Sequence, residues 1–271
     1  MTRFSWERRI ERAEQLARTQ AFASEVLKFY REIACFQKGL YDYLESTCGV
    51  QIRKKQQANL QNSFDATFLP AQFPALLDLV QRVGPSPLAQ AAGALAQEDQ
   101  ARWEDLITSF WRADGLPATG ISDTEVFFAR ALLQPYAEYL AAHTDLSWPR
   151  YGDPVCPFCD RKPQVGVLRA EGYGAKRSFL CSLCSTEWDY RRIICPACGE
   201  DRFEQLPVYT AGQFEHVRVE ACDTCQTYIK TVDLTKDGLA IPVVDELATT
   251  PLDLWARERG YKKLEPNLLR L

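Results

Sequence analysis

The chain has 271 residues, 46% of them apolar and 25% charged, a balance that excludes a disordered polyampholyte and leaves material for two modest cores. A net charge of −4, with 15 Lys and Arg against 18 Asp and Glu over residues 1–149, offers no basic footprint for a polyanion, so nucleic acid is not an expected partner. The arginine- and glutamate-rich start "MTRFSWERRIERAEQLART" lacks a signal-peptide core, and no stretch approaches the roughly 18 apolar residues of a membrane span. Membrane insertion is therefore not expected, and the ten cysteines are expected in the reducing cytoplasm, where they point to metal or redox chemistry rather than disulfides.

From residue 3 to about 146 the pattern is helical. In "EVLKFYREIACFQKGLYDYL", Val26, Phe29, Ile33, Phe36, Leu40 and Tyr43 recur in steps of three and four, the stripe of a helix facing a core. Similar stripes follow Pro74, run through "SPLAQAAGALAQEDQARWEDLITSFWRADG", and fill "SDTEVFFARALLQPYAEYLAAHT". They predict an all-α N-terminal domain of about five to seven helices over residues 1–149, closed by a linker "SWPRYGDP" from Ser147 to Pro154. Beyond residue 155 short β-prone runs such as "QVGVLR", "KRSFLC", "EHVRVEAC" and "TYIKTVDL" alternate with turns, as small antiparallel sheets require. One final helix is expected over "LDLWARERG", with Thr250 as cap, Pro251 in its first turn and Gly260 at its end. The fold class is α+β.

Eight cysteines cluster in this second half. Cys156 and Cys159 pair in spacing with Cys181 and Cys184; Cys195 and Cys198 pair with Cys222 and Cys225. "ICPACGEDRFEQLPVY" echoes "VCPFCDRKPQVGVL", and "VEACDTCQTY" echoes "FLCSLCSTEW", which marks an internal duplication into modules 150–190 and 191–271. The chemistry of CxxC explains the repeat. Two thiolates two residues apart sit on one tight turn with both sulfurs facing one ion, and two such knuckles complete a tetrahedron of soft ligands suited to zinc or to rubredoxin-type iron. Proline inside a knuckle pre-sets the turn, and Gly199 can take the positive φ expected after Cys198. Asp160 stands at that place in the first module and tolerates it less well, so the two sites are not required to be equally tight.

Two tandem zinc ribbons, with ions that only hold the modules folded, account for the spacing as well as a chemically active pair does. Thioredoxin-like shuttling would need a low-pKa cysteine at a helix start in a βαβ setting, which the pattern lacks. Four sulfurs leave no open position for hydrolysis, and no nucleotide loop or nucleophile elbow is present, so an enzyme is not expected. Cys35 and Cys48 are expected as buried unpaired thiols, His216 as a strand residue rather than a ligand, and His143 as a helix-end partner. Trp188 and Tyr228 follow the second knuckles, where they can shield metal or fill core. Arg161, Lys162, Lys176, Arg177, Arg191 and Arg192 are expected to be mostly solvated.

The order of helical domain, "CPFC", "FLCSLCSTEWDYRRIICPACG", "RVEACDTCQTYIKTVD" and "LDLWARERGYKKLEPNLL" resembles the formate dehydrogenase accessory protein family, FdhE. The likeness covers most of the chain, with one departure: the family tends to glycine where this chain has Asp160. The resemblance implies a cytoplasmic, non-enzymatic factor that binds the catalytic subunit of a formate dehydrogenase before export. It also implies iron in two rubredoxin-like sites, Cys156, Cys159, Cys181, Cys184 and Cys195, Cys198, Cys222, Cys225, with zinc as the alternative. Two other readings stay open from the residues alone: a zinc-ribbon nucleic-acid binder, against which the acidic balance argues, and a small two-iron electron-transfer protein.

Overall fold

A computed structural model of the chain describes residues 5–48, 68–113, 120–144 and 152–271. Residues 147–151 of the expected linker lie outside the described residues. Six α-helices make up the N-terminal half among the described residues: α1 Trp6–Thr19, α2 Ser24–Cys48, α3 Phe73–Val83, α4 Ser86–Leu95, α5 Gln100–Arg112 and α6 Asp123–Ala142. Local chemistry fixes several of their ends. Asp99 accepts the Arg102 N–H at 2.9 Å to start α5, and Ser122 with Glu125 forms a reciprocal capping box on α6. His143 caps the far end of α6, its ring against Tyr139.

α6 is the hub. From Phe127 to Leu140 all but one of its residues, Glu138, are buried, so it is packed on every side rather than along one stripe. α2 and α5 lie against it, and its remaining side is turned to the cysteine-rich half.

That half is a single sheet. β1 Pro163–Glu171, β2 Gly174–Cys181 and β3 Glu187–Asp189 come from the first module; β4 Val208–Thr210, β5 Val217–Cys222 and β6 Thr227–Asp233 come from the second. Their order across the sheet is β3-β2-β1-β6-β5-β4, and a two-residue strand, β7 Lys262–Lys263, lies parallel to the start of β6. Neighbours within a module are antiparallel, whereas the modules join through a parallel β1–β6 contact that sets Gly166 opposite Thr231. A β-carbon on Gly166 would collide with Thr231 Oγ1, so the seam closes only on glycine.

The closing segment differs from the expected single helix. Two short helices form, α7 Pro242–Ala248 and α8 Thr250–Glu258, and Thr249 rather than Thr250 occupies the cap position of α8. Gly260 follows α8 with φ +85°, the left-handed stop expected of it. α7 and α8 are pinned to β6 and β7 by four buried charges. Lys230 Nζ lies 2.6 Å from Asp253 and 3.0 Å from Glu246, and Lys263 bonds both carboxylates as well. Two cations and two anions thus neutralise one another out of water, the condition under which buried charge is tolerated. Lysines 230 and 263 hold the Glu246 carboxyl down to about 2 even though burial works in the opposite direction.

Candidate metal centres

Each CxxC folds into the same turn. Cys156 N–H donates to Arg161 O at 2.8 Å and Asp160 N–H returns to Cys156 O at 2.9 Å; in the second module Cys195 and Gly199 make the equivalent bonds at 2.8 and 3.0 Å. Amides of Phe158, Leu183 and Ala197 each point at the sulfur two residues earlier, at 3.4 Å. The residue after every second cysteine has positive φ: Asp160 at 56°, Ser185 at 53°, Gly199 at 77° and Gln226 at 55°. Gly199 therefore behaves as the spacing predicts, and three side-chain-bearing residues accept the conformation that glycine adopts most easily.

These turns bring the eight sulfurs into two groups, Cys156, Cys159, Cys181, Cys184 and Cys195, Cys198, Cys222, Cys225, with all four atoms of each group within 4.8 Å of one another. Closest approaches are 3.3 to 3.6 Å in the first and 3.7 Å in the second. A disulfide would need about 2.0 Å. A tetrahedron of four sulfurs about 2.3 Å from one ion has edges of about 3.8 Å. Both groups thus match the donor type and size of a four-thiolate centre and can bind two metal ions. The charges lead to the same conclusion. Burial pushes the thiols of Cys159 and Cys184 up, and Cys181, equally buried, is held down by hydrogen bonds from Cys156, Cys159 and Cys184. Four thiolates gathered at one point require a cation.

The surroundings of the two groups differ. All four sulfur-bearing residues of the first are buried and belong to the same apolar core as α2, α3, α5 and α6. Polar ties run from the helices straight to its knuckles. Arg130 on α6 donates to Ser182 O at 2.8 Å and Gln134 donates there at 3.0 Å. Ser185 donates to Glu138 at 2.7 Å, and Arg9 of α1 grips that same carboxylate at 2.8 and 3.0 Å. In the second group Cys198 is exposed and Cys225 half-buried, and Glu200 and Thr224, which bond at 2.7 Å, link its own two knuckles to each other.

Several expectations are corrected here. Arg161 and Arg177 are not solvated: Arg161 reaches the carbonyls of Phe110 and Trp111, stacking on the Phe110 ring, and Arg177 lies over Phe179 with a 2.5 Å pair to Glu220. Cys35 is on the exposed side of α2, not buried, and the side chain of Cys48 lies outside the described residues. Trp188 is buried against Phe179 in the core of the first group, whereas Tyr228 turns to Asp253 at 2.8 Å. His216 sits in the turn before β5 and bonds Asp245 at 2.9 Å, apart from either sulfur group; Arg12 holds that carboxylate too, tying α1 to α7. Arg9, Arg12, Arg130 and Gln134 escape sequence reasoning, although a charged residue in the middle of the apolar run "VFFARALLQ" is a detectable signal.

Two family models match the cysteine-rich half: FdhE, central domain, over residues 155–192, and FdhE, C-terminal domain, over 193–270. A Protein FdhE homolog of Aquifex aeolicus is 29% identical over 251 residues, 92% of this chain and 87% of the relative. The cysteine-rich half carries the FdhE central and C-terminal domains, and the chain as a whole is similar to FdhE proteins. A Pseudomonas aeruginosa FdhE homolog is 38% identical over 120 residues, a match that spans 42% of this chain and 39% of that relative. The crystal structure of the FdhE protein from Pseudomonas aeruginosa superposes with a TM-score of 0.69 at 25% identity, covering 100% of this chain and 96% of that one. FdhE architecture is thus shared from the helical half through both cysteine groups.

Proposed function

We propose that the protein is a cytoplasmic, non-enzymatic maturation factor required for an active formate dehydrogenase, whose catalytic subunit it binds. Its working parts in this reading are a helical domain over residues 1–149 and metal modules over 150–190 and 191–271. The likeness to FdhE proteins supports the role, and among the described residues no helix is long and apolar enough to cross a membrane. The observation that carries the metal assignment is the pair of four-sulfur groups with 3.3 to 3.7 Å edges. Cys156, Cys159, Cys181 and Cys184 hold one ion, and Cys195, Cys198, Cys222 and Cys225 the other. Iron of the rubredoxin type is the preferred occupant and zinc the alternative; iron would supply a one-electron couple, zinc a fixed charge. The chain's own residues do the rest. Knuckle amides and proline-bearing turns pre-organise the sulfurs, Arg9, Arg130 and Gln134 seat the first module on the helices, and the second module faces outward.

The test joins metal analysis to binding. Protein purified without air from iron-sufficient cells is expected to carry two irons with sulfur-to-iron absorption bands, and to bind the purified catalytic subunit. Two colourless zincs would remove the iron assignment; absence of subunit binding would remove the accessory role.

A further inference from the structure

The two modules join head to tail. β6, the third strand of the second module, lies parallel against the outer edge of β1. β4 is the first strand after the first knuckle of the second module, as β1 is in the first, yet its outer edge receives no strand among the described residues. The register shows what that edge presents. Ala221 N–H donates to Pro207 O at 3.0 Å, which makes them a hydrogen-bonded pair. Alternation along the antiparallel ladder then turns the N–H and C=O groups of Val208 and Thr210 outward. An open edge of this kind is a template for another strand.

Beside that edge lies a cavity of about 490 Å³, between the sheet face at Glu220 and Ile229 and the segment carrying the first knuckle of the second group; Cys195 and Cys222 form part of its wall. Ile193, Phe203 and Val208 line it at 55, 68 and 52% exposure, three of the nine exposed large apolar side chains among the described residues. In the first module the corresponding face is covered by the chain itself. Phe179, the counterpart of Glu220 by distance from the second knuckle, belongs to the core shared with the helices. Charge adds a direction. Glu220 is shared by Arg177 and Arg218 at 2.5 Å each, whereas Arg192, exposed on the cavity lining, has no carboxylate partner among the described residues.

We infer that an extended segment of the catalytic subunit docks here, adding as a strand to β4, setting one apolar side chain in the cavity and a carboxylate against Arg192. This rests on the accessory role proposed above. A second copy of the chain fits poorly through its β3 edge, which consists of Glu187, Trp188 and Asp189, the acids already paired with Arg169 and Lys176 and the tryptophan buried. Pairing of β4 with the β4 of a second copy is the competing outcome, which the sedimentation measurement separates.

The experiment titrates the full chain against the purified catalytic subunit and follows self-association by sedimentation. Thr210→Pro removes an outward N–H without touching the ladder, and Phe203→Asp puts charge into the cavity; each is expected to weaken binding about tenfold or more, with metal content unchanged. Arg192→Glu is expected to weaken it several-fold and to abolish its dependence on salt. Leu254→Asp, on the equally exposed flank of α8, leaves it unchanged. Wild-type affinity in both Thr210→Pro and Phe203→Asp, alongside a wild-type protein that binds, would overturn the placement alone. Self-association abolished by Thr210→Pro would overturn it in favour of a second copy. A wild-type protein that does not bind the subunit defeats the accessory role and the placement with it.

Discussion

The two sulfur groups come from one duplicated sequence and share their turn geometry, yet the first lies inside the protein and the second at its surface. Around Cys156, Cys159, Cys181 and Cys184 the neighbours are Arg130, Gln134, Glu138 and the aromatic core; around Cys198 and Cys225 they are solvent and residues of the same module. A repeat unit therefore does not dictate its own environment. What packs on it does, and here α6 packs on the sulfur group of the first copy while meeting the second copy through its closing segment at Pro266 and Arg270. The first centre is placed to hold two halves of the molecule together, and the second is left open to solvent.

That contrast can be broken most severely at the ligands. Cys156→Ser with Cys159→Ser is expected to release the helices from the sheet and to abolish cooperative melting, because binding energy of about 10 kcal/mol or more at a structural four-sulfur site is folding energy. Cys195→Ser with Cys198→Ser should demetallate one module and abolish the proposed binding of the catalytic subunit while the helical domain keeps its hydrogen-exchange protection. Equal damage to the helices from both pairs would erase the distinction. A chelator added to the intact protein should likewise withdraw first the ion of the second group, where Cys198 is exposed and Cys225 half-buried.

The polar ties offer a second, smaller lever. Arg130 is buried and donates to Ser182, Pro266 and Gln164, so Arg130→Ala should cost about 2–4 kcal/mol and appear as a lower melting temperature. Arg218→Ala, beside the second centre in a half-buried pair, should cost about 1 kcal/mol or less. The smallest effect tests the turn residues. Asp160→Gly is expected to stabilise the first module by about 1 kcal/mol by relieving a left-handed backbone at φ 56°, and Gly199→Asp to weaken the second by a similar amount. Calorimetric melts of the two variants, shifting in opposite directions, would establish that the knuckles are equivalent and only their surroundings differ.

Much of this was legible in the residues. The stripe from Val26 to Tyr43 marks α2, the CxxC spacing picks out all eight clustered sulfurs, and Gly199 announces its own φ. The rest depends on distance along the chain. Nothing local says that Arg161 will cross to Phe110, that Glu246 and Asp253 will meet Lys230, or that β6 will run beside β1, because those pairings are decided by which surfaces are left to bury once each element has formed. Cys35 misleads for a related reason: a thiol is apolar enough to be read as core, but its angular position on α2 turns it to solvent.

The parallel seam at Gly166 and Thr231 also sets a timetable during synthesis. Sixty-five residues separate the two positions, so at translation rates of about 5–20 residues per second the nascent first module waits about 3–13 s for the strand that closes it. Throughout that interval β1 shows an unfilled edge, as β4 does among the described residues of the finished protein. A ribosome paused within the second module would lengthen that exposure, which makes the spacing of the repeat a determinant of how safely the chain is made.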